Sequence, residues 1–556
     1  MAVLPSAPSR TDSFLRSLLV WRLLFGVATL SGVAFLFFAP QSIELAPWLR
    51  WVAVGVLILL AVASLWATPA ILRRDHLGRT LSLVVDYLGF VVCLLSLLQV
   101  TDVFLGINAL ADTFPRGIPW LLLAVGGYLI LAIGDRYEDY PARAKIFRRA
   151  GTLVMAVAGL LFFWSVDGIG GLVFWLRQLA DPLALALLVG ALLFGLALWA
   201  MGREPTAAAM HAQARHEQRL SGWLFLSPNL LGFLIFFAGP LLLSLYFSFT
   251  DSDAFNPPNW IGLDNYTQLL NVTFQPLTSR TQLASEVLDV RIYDEVGRFT
   301  FFGRSFIFGA QDKLFWLALR NTLLFALLAV PLSVIPALLL SNILNSKLPG
   351  MKFFRAIYFL PSIAAVVGIS LVWRWLYDAT IGYINYGITT GVSTINTVFG
   401  AGLVDPKVQW LSDSDTALLA IVIMAAWQTM GFNSVLFLAG LQNIPNELYE
   451  AATVDGAGRW AQFWRITLPL LAPTTFFVIT TTTIQALQVF EQVFILMNPP
   501  EGPNNSTVTL VVYLYRNGFQ NFRQGYASAV AWVLFIVIFG LTLFQFRRQR
   551  ETSESF

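Results

Sequence analysis

The sequence predicts an all-α, polytopic transmembrane helical bundle of about twelve spans. Of the 556 residues, 57% are hydrophobic and only 12% are charged, whereas soluble domains carry about 25% charged residues. Apolar runs of about 20 residues, the length needed to cross a bilayer as a helix, recur along the whole chain. The alternating pattern of a membrane β-barrel is absent. The composition therefore excludes an ordinary soluble domain.

Twelve apolar runs are candidate spans. They lie at 18–39, 48–71, 80–100, 118–134, 150–166, 182–201, 223–249, 316–341, 356–377, 415–441, 469–497 and 525–546. The fifth run is short, and its end is not well defined because Gly168, Gly170 and Gly171 follow it. Six spans precede a polar segment and six follow it.

The polar segment divides the chain. The predicted organisation is an N-terminal block at 1–201, a connector at 202–222, a second block at 223–547 and a tail at 548–556. Within the connector, Ala207 to Leu220 is predicted to be helical. The first block contains Asp86 in a span and Arg22 and Arg50 near span ends. Charges inside a membrane mark either a function or a helix contact, and the sequence assigns this block no role.

Basic residues alternate between loops in a way that predicts the topology. With the N-terminus inside, the inner segments hold 21 Lys and Arg in 108 residues, and the outer segments hold 10 in 170. Cytoplasmic loops are the ones enriched in Lys and Arg. We therefore expect both termini in the cytoplasm of a bacterial-type cell, with 250–315 outside and 442–468 inside.

Several chemistries have no residues to support them. Cys93 is the only cysteine, so disulfides and cysteine metal sites are excluded. The sequence has no Gly-X-X-X-X-Gly-Lys-Ser/Thr phosphate loop, so we expect no ATP site of that type. No Ser/His/Asp set is evident either. We predict a protein that is not an enzyme and holds no cofactor or metal.

The charged stretch at 442–468 separates two long apolar runs. Glu447 and Glu450 follow Pro445, and acidic residues suit the first turn of a helix. Gly456 permits a turn after that helix. Trp460 begins a second amphipathic stretch. Two short helices of this kind either fill a groove on another protein or lie on the lipid surface.

The spacing within this stretch resembles the EAA motif, the cytoplasmic coupling loop of permease subunits in binding-protein-dependent ABC importers. Glu-Ala-Ala is followed after three residues by Gly, and after nine more by Ile-X-Leu-Pro. The predicted coupling residues are Glu450, Ala451, Ala452, Asp455, Gly456, Phe463, Ile466, Leu468 and Pro469. The resemblance favours docking on an ATPase subunit.

The resemblance continues through 223–547 and is closest to the maltose-type subunit of carbohydrate importers, which have a six-helix core. Segments that carry it are 223–228, 240–249, 262–266, 315–322, 355–361, 373–377 and 525–529. The family usually has Thr-X-Gly-Gly-Pro after the fifth core helix, whereas this chain has Met497–Pro503. The resemblance therefore does not predict the shape of that outer loop. The six spans before the core also exceed the family pattern.

The outer insert at 250–315 has its own pattern. Residues 290–302 alternate around Gly297, which predicts a hairpin. In the maltose-type family this position carries a domain that contacts the solute-binding protein. A solvated loop without a partner is the alternative.

Polar side chains mark the spans on either side of the coupling loop. The predicted path residues are Trp427, Gln428, Asn433, Thr482, Gln485, Gln488 and Glu491. Gln485, Gln488 and Gln492 are three and four residues apart, which places them on one face of a helix. Such a stripe faces a cavity or another helix. The family resemblance implies a sugar site on these two spans.

The resemblance implies a permease for an oligosaccharide or related sugar in the inner membrane. It also implies a second homologous permease chain, two ABC ATPase subunits that hold ATP and Mg²⁺, and an extracytoplasmic binding protein. Membrane lipid is a further expected partner, and nucleic acid is not. The alternatives are an importer of a non-sugar solute, an ion-coupled transporter, for which internal repeats are expected and none is evident, or a membrane scaffold or receptor.

Overall fold

A computed structural model describes residues 10–38, 47–135, 140–211, 213–346 and 349–553. The chain forms two compact units, Met1–Leu231 and Gly232–Phe556. Ten of the described helices are long and apolar enough to cross a membrane, or twelve if each of two bent helix pairs counts as one span. The predicted all-α bundle is confirmed. The predicted location of the two termini concerns residues outside the described ranges.

The first unit is helical throughout its described residues. Its helices are α1 Arg10–Phe38, α2 Pro47–Leu72, α3 His76–Val100, α4 Val103–Asp135, α5 Pro141–Ser165, α6 Gly168–Gln178, α7 Pro182–Gly202, α8 Glu204–Ala209 and α9 Ala214–Phe233. Helix α5 starts well before the predicted residue 150. The three glycines that left its end open belong to α6, a separate short helix.

Two buried charges join α1 to α3. Arg22 and Asp86 form an ion pair, and both side chains are fully buried. Arg22 also donates to the carbonyl of Ser82 at 3.2 Å, and Ser64 on α2 donates to the carbonyl of Arg22 at 2.9 Å. Of the two readings that the sequence allowed for these charges, this geometry supports a helix contact.

Glycines bring α4 and α5 together. A Cβ built on Gly151 would lie 2.8 Å from both the Gly127 carbonyl oxygen and the Leu131 nitrogen. A Cβ on Gly134 would lie 2.9 Å from the Phe147 Cβ. Small residues allow close approach of helix backbones within membranes. The two helices therefore form a tight pair.

The predicted connector helix at 207–220 is broken. Helix α8 ends at Ala209, His211 has φ +53, and α9 begins at Ala214. Glu217 on α9 forms an ion pair with Arg79 on α3, and the His76 and His216 rings stack at 4.1 Å. These contacts with the start of α3 fix the beginning of α9, and the turn at His211 separates it from α8.

The second unit contains the remaining elements. After a π-helical turn at Leu234–Ala238, its helices are α10 Gly239–Ser248, α11 Asp264–Leu270, α12 Lys313–Leu344, α13 Met351–Ile363, α14 Val366–Leu376, α15 Tyr383–Phe399, α16 Ala417–Gln442, α17 Asn446–Val454, α18 Arg459–Gln462, α19 Leu468–Leu470, α20 Ala472–Leu487, α21 Glu491–Leu496, α22 Leu510–Tyr515 and α23 Gln524–Ser553. Helix α15, in a segment predicted to lie outside, was not expected. The core of this unit centres on α12, α16 and the last helix, with Phe315, Met424 and Val530 buried among them.

One predicted span, 356–377, is a bent helix pair, and a second bent pair runs from the charged loop at 442–468 into the next predicted span. Helices α13 and α14 meet at 98°, and the helical stretch Arg459–Leu470 meets α20 at 67°. The first break occurs at Ala364 and Ala365, which have extended backbones. At the second, Pro473 has no N–H to continue the hydrogen-bond ladder. The span predicted at 469–497 therefore contains a shorter helix that ends at Leu487.

The outer insert forms a three-stranded antiparallel sheet in the order β1 Val272–Leu277, β3 Arg304–Ala310, β2 Asp294–Phe301. The predicted hairpin turn at Gly297 is wrong, because Gly297 lies at a register shift within β2. The turn is instead at Phe302 and Gly303, with φ +46 and +76. Positive φ at both central residues is the geometry of tight hairpin turns.

Candidate functional site

The loop between α16 and α20 contains two short helices joined at Gly456. Helix α17 ends with the N–H of Gly456 bonded to the Thr453 carbonyl at 3.1 Å and the N–H of Ala457 bonded to the Ala452 carbonyl at 2.9 Å. Gly456 has φ +78. This is a Schellman C-terminal cap, in which the left-handed residue is usually glycine. The predicted turn at Gly456 is present.

Contacts with the bundle fix the orientation of this loop. The Tyr449 and Thr467 hydroxyl oxygens are 2.9 Å apart and join the two arms. Gln462 donates to the Thr453 hydroxyl and to the Ala457 carbonyl, both at 3.0 Å. Tyr449 also packs on a buried cluster formed by Leu441, Ile444 and Leu471. The loop is therefore a compact structure built on the ends of two membrane helices.

The loop exposes several large apolar residues. Val454 is 88% exposed, Trp460 is 72% exposed, and Leu448 and Trp464 are about half exposed. The Trp460 ring stacks on Phe463 and meets Trp464 edge-on. The aromatic part of this surface is thus held in place before any partner binds. An apolar surface of this kind is typical of an interaction site.

The other predicted coupling residues surround this surface. Glu450, Ala451, Asp455 and Pro469 are exposed, and Ala452, Phe463, Ile466 and Leu468 are half-buried. Among them, Glu450 lies within α17 rather than at its first residue, which is Asn446. Its carboxylate points to no basic partner among the described residues, since no ion pair includes it. The loop thus presents an exposed acid beside an apolar face.

The predicted glutamine stripe is interrupted by the end of α20. Gln485 lies in the last turn of that helix, Gln488 caps it, and Glu491 and Gln492 belong to α21. The three glutamines therefore do not share one helix face, as the spacing suggested. Gln485, Gln488 and Glu491 are nevertheless all exposed in this chain. They form a polar end to α20 and a polar start to α21.

Asn433 and Thr482 occupy a different environment from these exposed residues. Asn433 is 2% exposed and donates to the Ser333 hydroxyl at 2.9 Å and to the Thr482 hydroxyl at 3.1 Å. Ser333 in turn lies 2.8 Å from the Thr429 hydroxyl. This network joins α12, α16 and α20. We therefore assign Asn433 and Thr482 to helix contacts rather than to the path.

Trp427 and Gln428 connect α16 to the neighbouring elements. Trp427 is 40% exposed and meets Trp373 of α14 with ring centroids 5.5 Å apart. Gln428 is 7% exposed, and its side-chain oxygen accepts a long hydrogen bond from Gln492 at 3.4 Å. The structure thus places Trp373, which sequence reasoning had not selected, next to a predicted path residue.

A cavity of about 530 Å³ was also missed. It is lined by Arg374, Tyr377 and Asp378 at the end of α14, by Trp410, and by residues of the loop 497–503. That loop is held to α12, because Asn321 donates to the carbonyls of Asn505 and Val508 at 3.0 Å. The one sequence feature that could have drawn attention to this cavity is the departure of the loop 497–503 from the family pattern. That this loop forms a wall of the cavity could be seen only in the three-dimensional structure.

A family model and several known proteins match part of the chain. The model of the family described as "Binding-protein-dependent transport system inner membrane component" matches residues 324–550. The probable ABC transporter permease protein YesP of Bacillus subtilis is 32% identical over 341 residues, which is 61% of this chain and 94% of that protein. The lactose transport system permease protein LacF of Rhizobium radiobacter is 34% identical over 243 residues, 43% of this chain and 78% of that protein. The arabinooligosaccharides transport system permease protein AraP of Bacillus subtilis is 30% identical over 329 residues, 59% of this chain and 88% of that protein.

The apolar helices and the family match define a multi-pass membrane protein of the permease class, a transport component rather than an enzyme. The chain belongs to the family of binding-protein-dependent transport system inner membrane components, the permeases of ABC transporters.

Proposed function

We propose that this chain is the permease subunit of an ATP-driven importer of an oligosaccharide or related sugar, and that the loop from Glu450 to Pro469 couples it to an ATPase subunit. The observation that carries the proposal is the shape of this loop. A Schellman turn at Gly456 joins two short helices that are fixed to the bundle and expose Val454 and Trp460. A rigid apolar projection of this kind suits the groove of another protein.

The anchoring of the loop supports transmission of movement. Tyr449 and Leu471 connect the loop to the ends of α16 and α20. Closure of the ATPase dimer would displace the loop, and the break at Leu471 would let α20 tilt with it. Because Gln485 and Gln488 lie at the far end of α20, this movement would change access to the path.

The side chains of the proposed path support a neutral, hydroxyl-rich substrate. Gln485 and Gln488 are exposed and supply amide donors and acceptors, and Trp427 and Trp373 supply aromatic faces. Glu491 contributes a carboxylate, which would repel a phosphate. Two relatives are named for transport of lactose and of arabinooligosaccharides. A relative named for sn-glycerol-3-phosphate transport makes a phosphorylated solute the second candidate.

The family supports the proposed partners. Its description includes dependence on a binding protein. We propose that this protein delivers the sugar at the outer face, where the insert carries Phe301 and Phe302 at its hairpin tip, 62% and 92% exposed. A second permease chain of the same family would complete the path, and two ATPase subunits would hold ATP and Mg²⁺ in the cytoplasm.

The test is the behaviour of Gly456→Pro. Proline fixes φ near −65° and has no N–H, so it removes both the positive φ of Gly456 and its bond to Thr453. We expect loss of ATPase co-purification and of substrate-stimulated ATP hydrolysis, while the permease remains folded in the membrane. Gly456→Ala adds strain of about 1 kcal/mol or more and should give a partial loss.

The matched control is Gly458→Ala. Gly458 has φ −66, and a Cβ there would meet no atom within 4 Å. This variant should retain wild-type docking and hydrolysis. Normal co-purification and normal stimulated hydrolysis in Gly456→Pro would refute the coupling assignment.

A further inference from the structure

We propose that the groove between α4 and α5, at the end where the two helices connect, binds the phosphate group of an anionic phospholipid. The residues that line the groove belong to the first unit, whereas those of the coupling loop and the proposed path belong to the second. The proposal does not depend on the transported solute.

The groove is a cavity of about 540 Å³ with a basic wall. Lys145, Arg148 and Arg149 line it from α5, together with Thr152 and with Leu131 of α4. These α5 positions are spaced by three and four residues, so they share one face of the helix. Three cationic side chains thus converge on one concave surface.

One of the three cations already has a partner. Arg148 forms an ion pair with Asp135 at 2.9 Å. Lys145 and Arg149 are exposed and take part in no ion pair among the described residues. They remain available for an anion. The sequence also contains Glu138 and Asp139 in the connecting segment, outside the described ranges, so the experiment tests lipid binding directly.

The two helices that carry the groove pack closely against each other. The close glycine contacts at Gly134 and Gly151 set the distance between the backbones of α4 and α5 next to the basic wall. A preformed site loses less conformational entropy on binding. The cations are therefore presented on a fixed support rather than on a mobile loop.

The position of the groove selects a lipid rather than a soluble anion. Both helices are long and apolar enough to cross a membrane, so their connected ends lie at the depth of the lipid headgroups. Ile146 and Leu153 of α5 are each 67% exposed beside the basic face and offer an apolar surface to acyl chains. Basic pockets between membrane helices on the cytoplasmic side recognise anionic headgroups, and the Lys and Arg distribution predicts that side here.

The experiment uses the full-length chain purified with its subunits in a mild detergent. It is titrated with dioleoylphosphatidylglycerol, and bound lipid is counted by native mass spectrometry. We expect the double variant Lys145→Gln/Arg149→Gln to raise the apparent Kd roughly thirtyfold. The control Arg73→Gln, an exposed arginine in the turn after α2, should change it less than twofold. The charge-preserving swap Lys145→Arg/Arg149→Lys should retain binding, and if the double variant does not fold, Lys145→Gln alone should raise the Kd about fivefold.

Three outcomes would overturn the proposal. Wild-type affinity in a folded double variant would show that Lys145 and Arg149 do not contribute to lipid binding. Equal affinity for dioleoylphosphatidylcholine would show a groove without preference for an anionic lipid. Displacement of phosphatidylglycerol by equimolar inorganic phosphate or glycerol 3-phosphate would show a site for a soluble phosphate.

Discussion

Gly431 of α16 lies directly against the carbonyl of Tyr358 in α13. A Cβ at position 431 would be 2.1 Å from that oxygen and 3.1 Å from the carbonyl carbon. The neighbour is backbone and cannot rotate away. The contact therefore sets how closely the first arm of a bent helix pair approaches the central helix of the core.

Gly431→Ala should destabilise the protein by about 1–3 kcal/mol, because overpacking forces backbone shifts. The measurement is the thermal unfolding midpoint in detergent, followed by size-exclusion chromatography. Gly368→Ala in α14 is the control, since a Cβ there meets nothing within 4 Å and alanine is the better helix former. Equal midpoints for the two variants would contradict the close contact.

Gln485→Leu or Gln488→Leu should reduce transport while the complex still assembles. A lost polar partner costs about 1–3 kcal/mol, or roughly five- to 150-fold in substrate affinity. Uptake into proteoliposomes and subunit co-purification are measured together. Thr482→Val provides the contrast, because Thr482 is buried against Asn433 and its loss should lower stability. If the glutamine variants fail to assemble, they are helix contacts and not path residues.

Asp86→Asn should destabilise the first unit strongly. Removing one partner of a buried ion pair leaves an uncompensated charge and costs about 3–5 kcal/mol. The double variant Arg22→Met/Asp86→Leu should recover most of this loss, because apolar replacements of both partners are often neutral. Unfolding midpoints of Arg22→Met, Asp86→Leu and the double variant Arg22→Met/Asp86→Leu form a double-mutant cycle. Additive losses would show that Arg22 and Asp86 do not stabilise each other.

Cysteines introduced at Ser285 and Asp455 should react with an impermeant thiol reagent from opposite sides of the membrane. Both positions are exposed, and the Lys and Arg distribution predicts that they face outside and inside. Cys93, the single native cysteine, is first replaced by alanine. Labelling of both positions from outside in intact cells would refute the topology.

Phe302→Asn should make the outer hairpin more stable and weaken contact with the binding protein. Phe302 has φ +46 and is 92% exposed; asparagine tolerates that conformation better. The Kd of the binding protein for the reconstituted complex is expected to rise several-fold as the aromatic contact is lost. An unchanged Kd would exclude the hairpin tip from the contact.

The number of spans and the turn at Gly456 could be predicted from the sequence, because long apolar runs and a glycine after a polar helix are local signals. The bend between α13 and α14 could not be predicted, because Ala364 and Ala365 are strong helix formers and give no local signal for a break. Gln488 was assigned to a helix face because spacing alone does not reveal where α20 ends. The hairpin turn was placed at Gly297 because glycine is the usual turn residue, whereas the chain turns at Phe302 and Gly303.

The difference in burial among the predicted path residues could be seen only in the tertiary structure. Asn433 and Gln485 are both polar residues in apolar runs, and nothing in their neighbours distinguishes them. One is buried in a hydrogen-bond network, and the other is exposed. Trp373 and the cavity bounded by Arg374 depend on contacts between segments that are distant in the chain.

The ion pair between Arg22 and Asp86 has a consequence for synthesis of the chain. Helix α1 leaves the ribosome before α3, so Arg22 has no counter-charge until Asp86 has been translated. An unpaired arginine costs about 2.5–3.5 kcal/mol on insertion at the centre of a membrane helix and less toward an end, and Arg22 lies in the first third of the span Ser17–Phe38. Helix α1 is therefore expected to stay at the translocon until α3 arrives. Helices α1, α2 and α3 would then pass into the lipid together as one group.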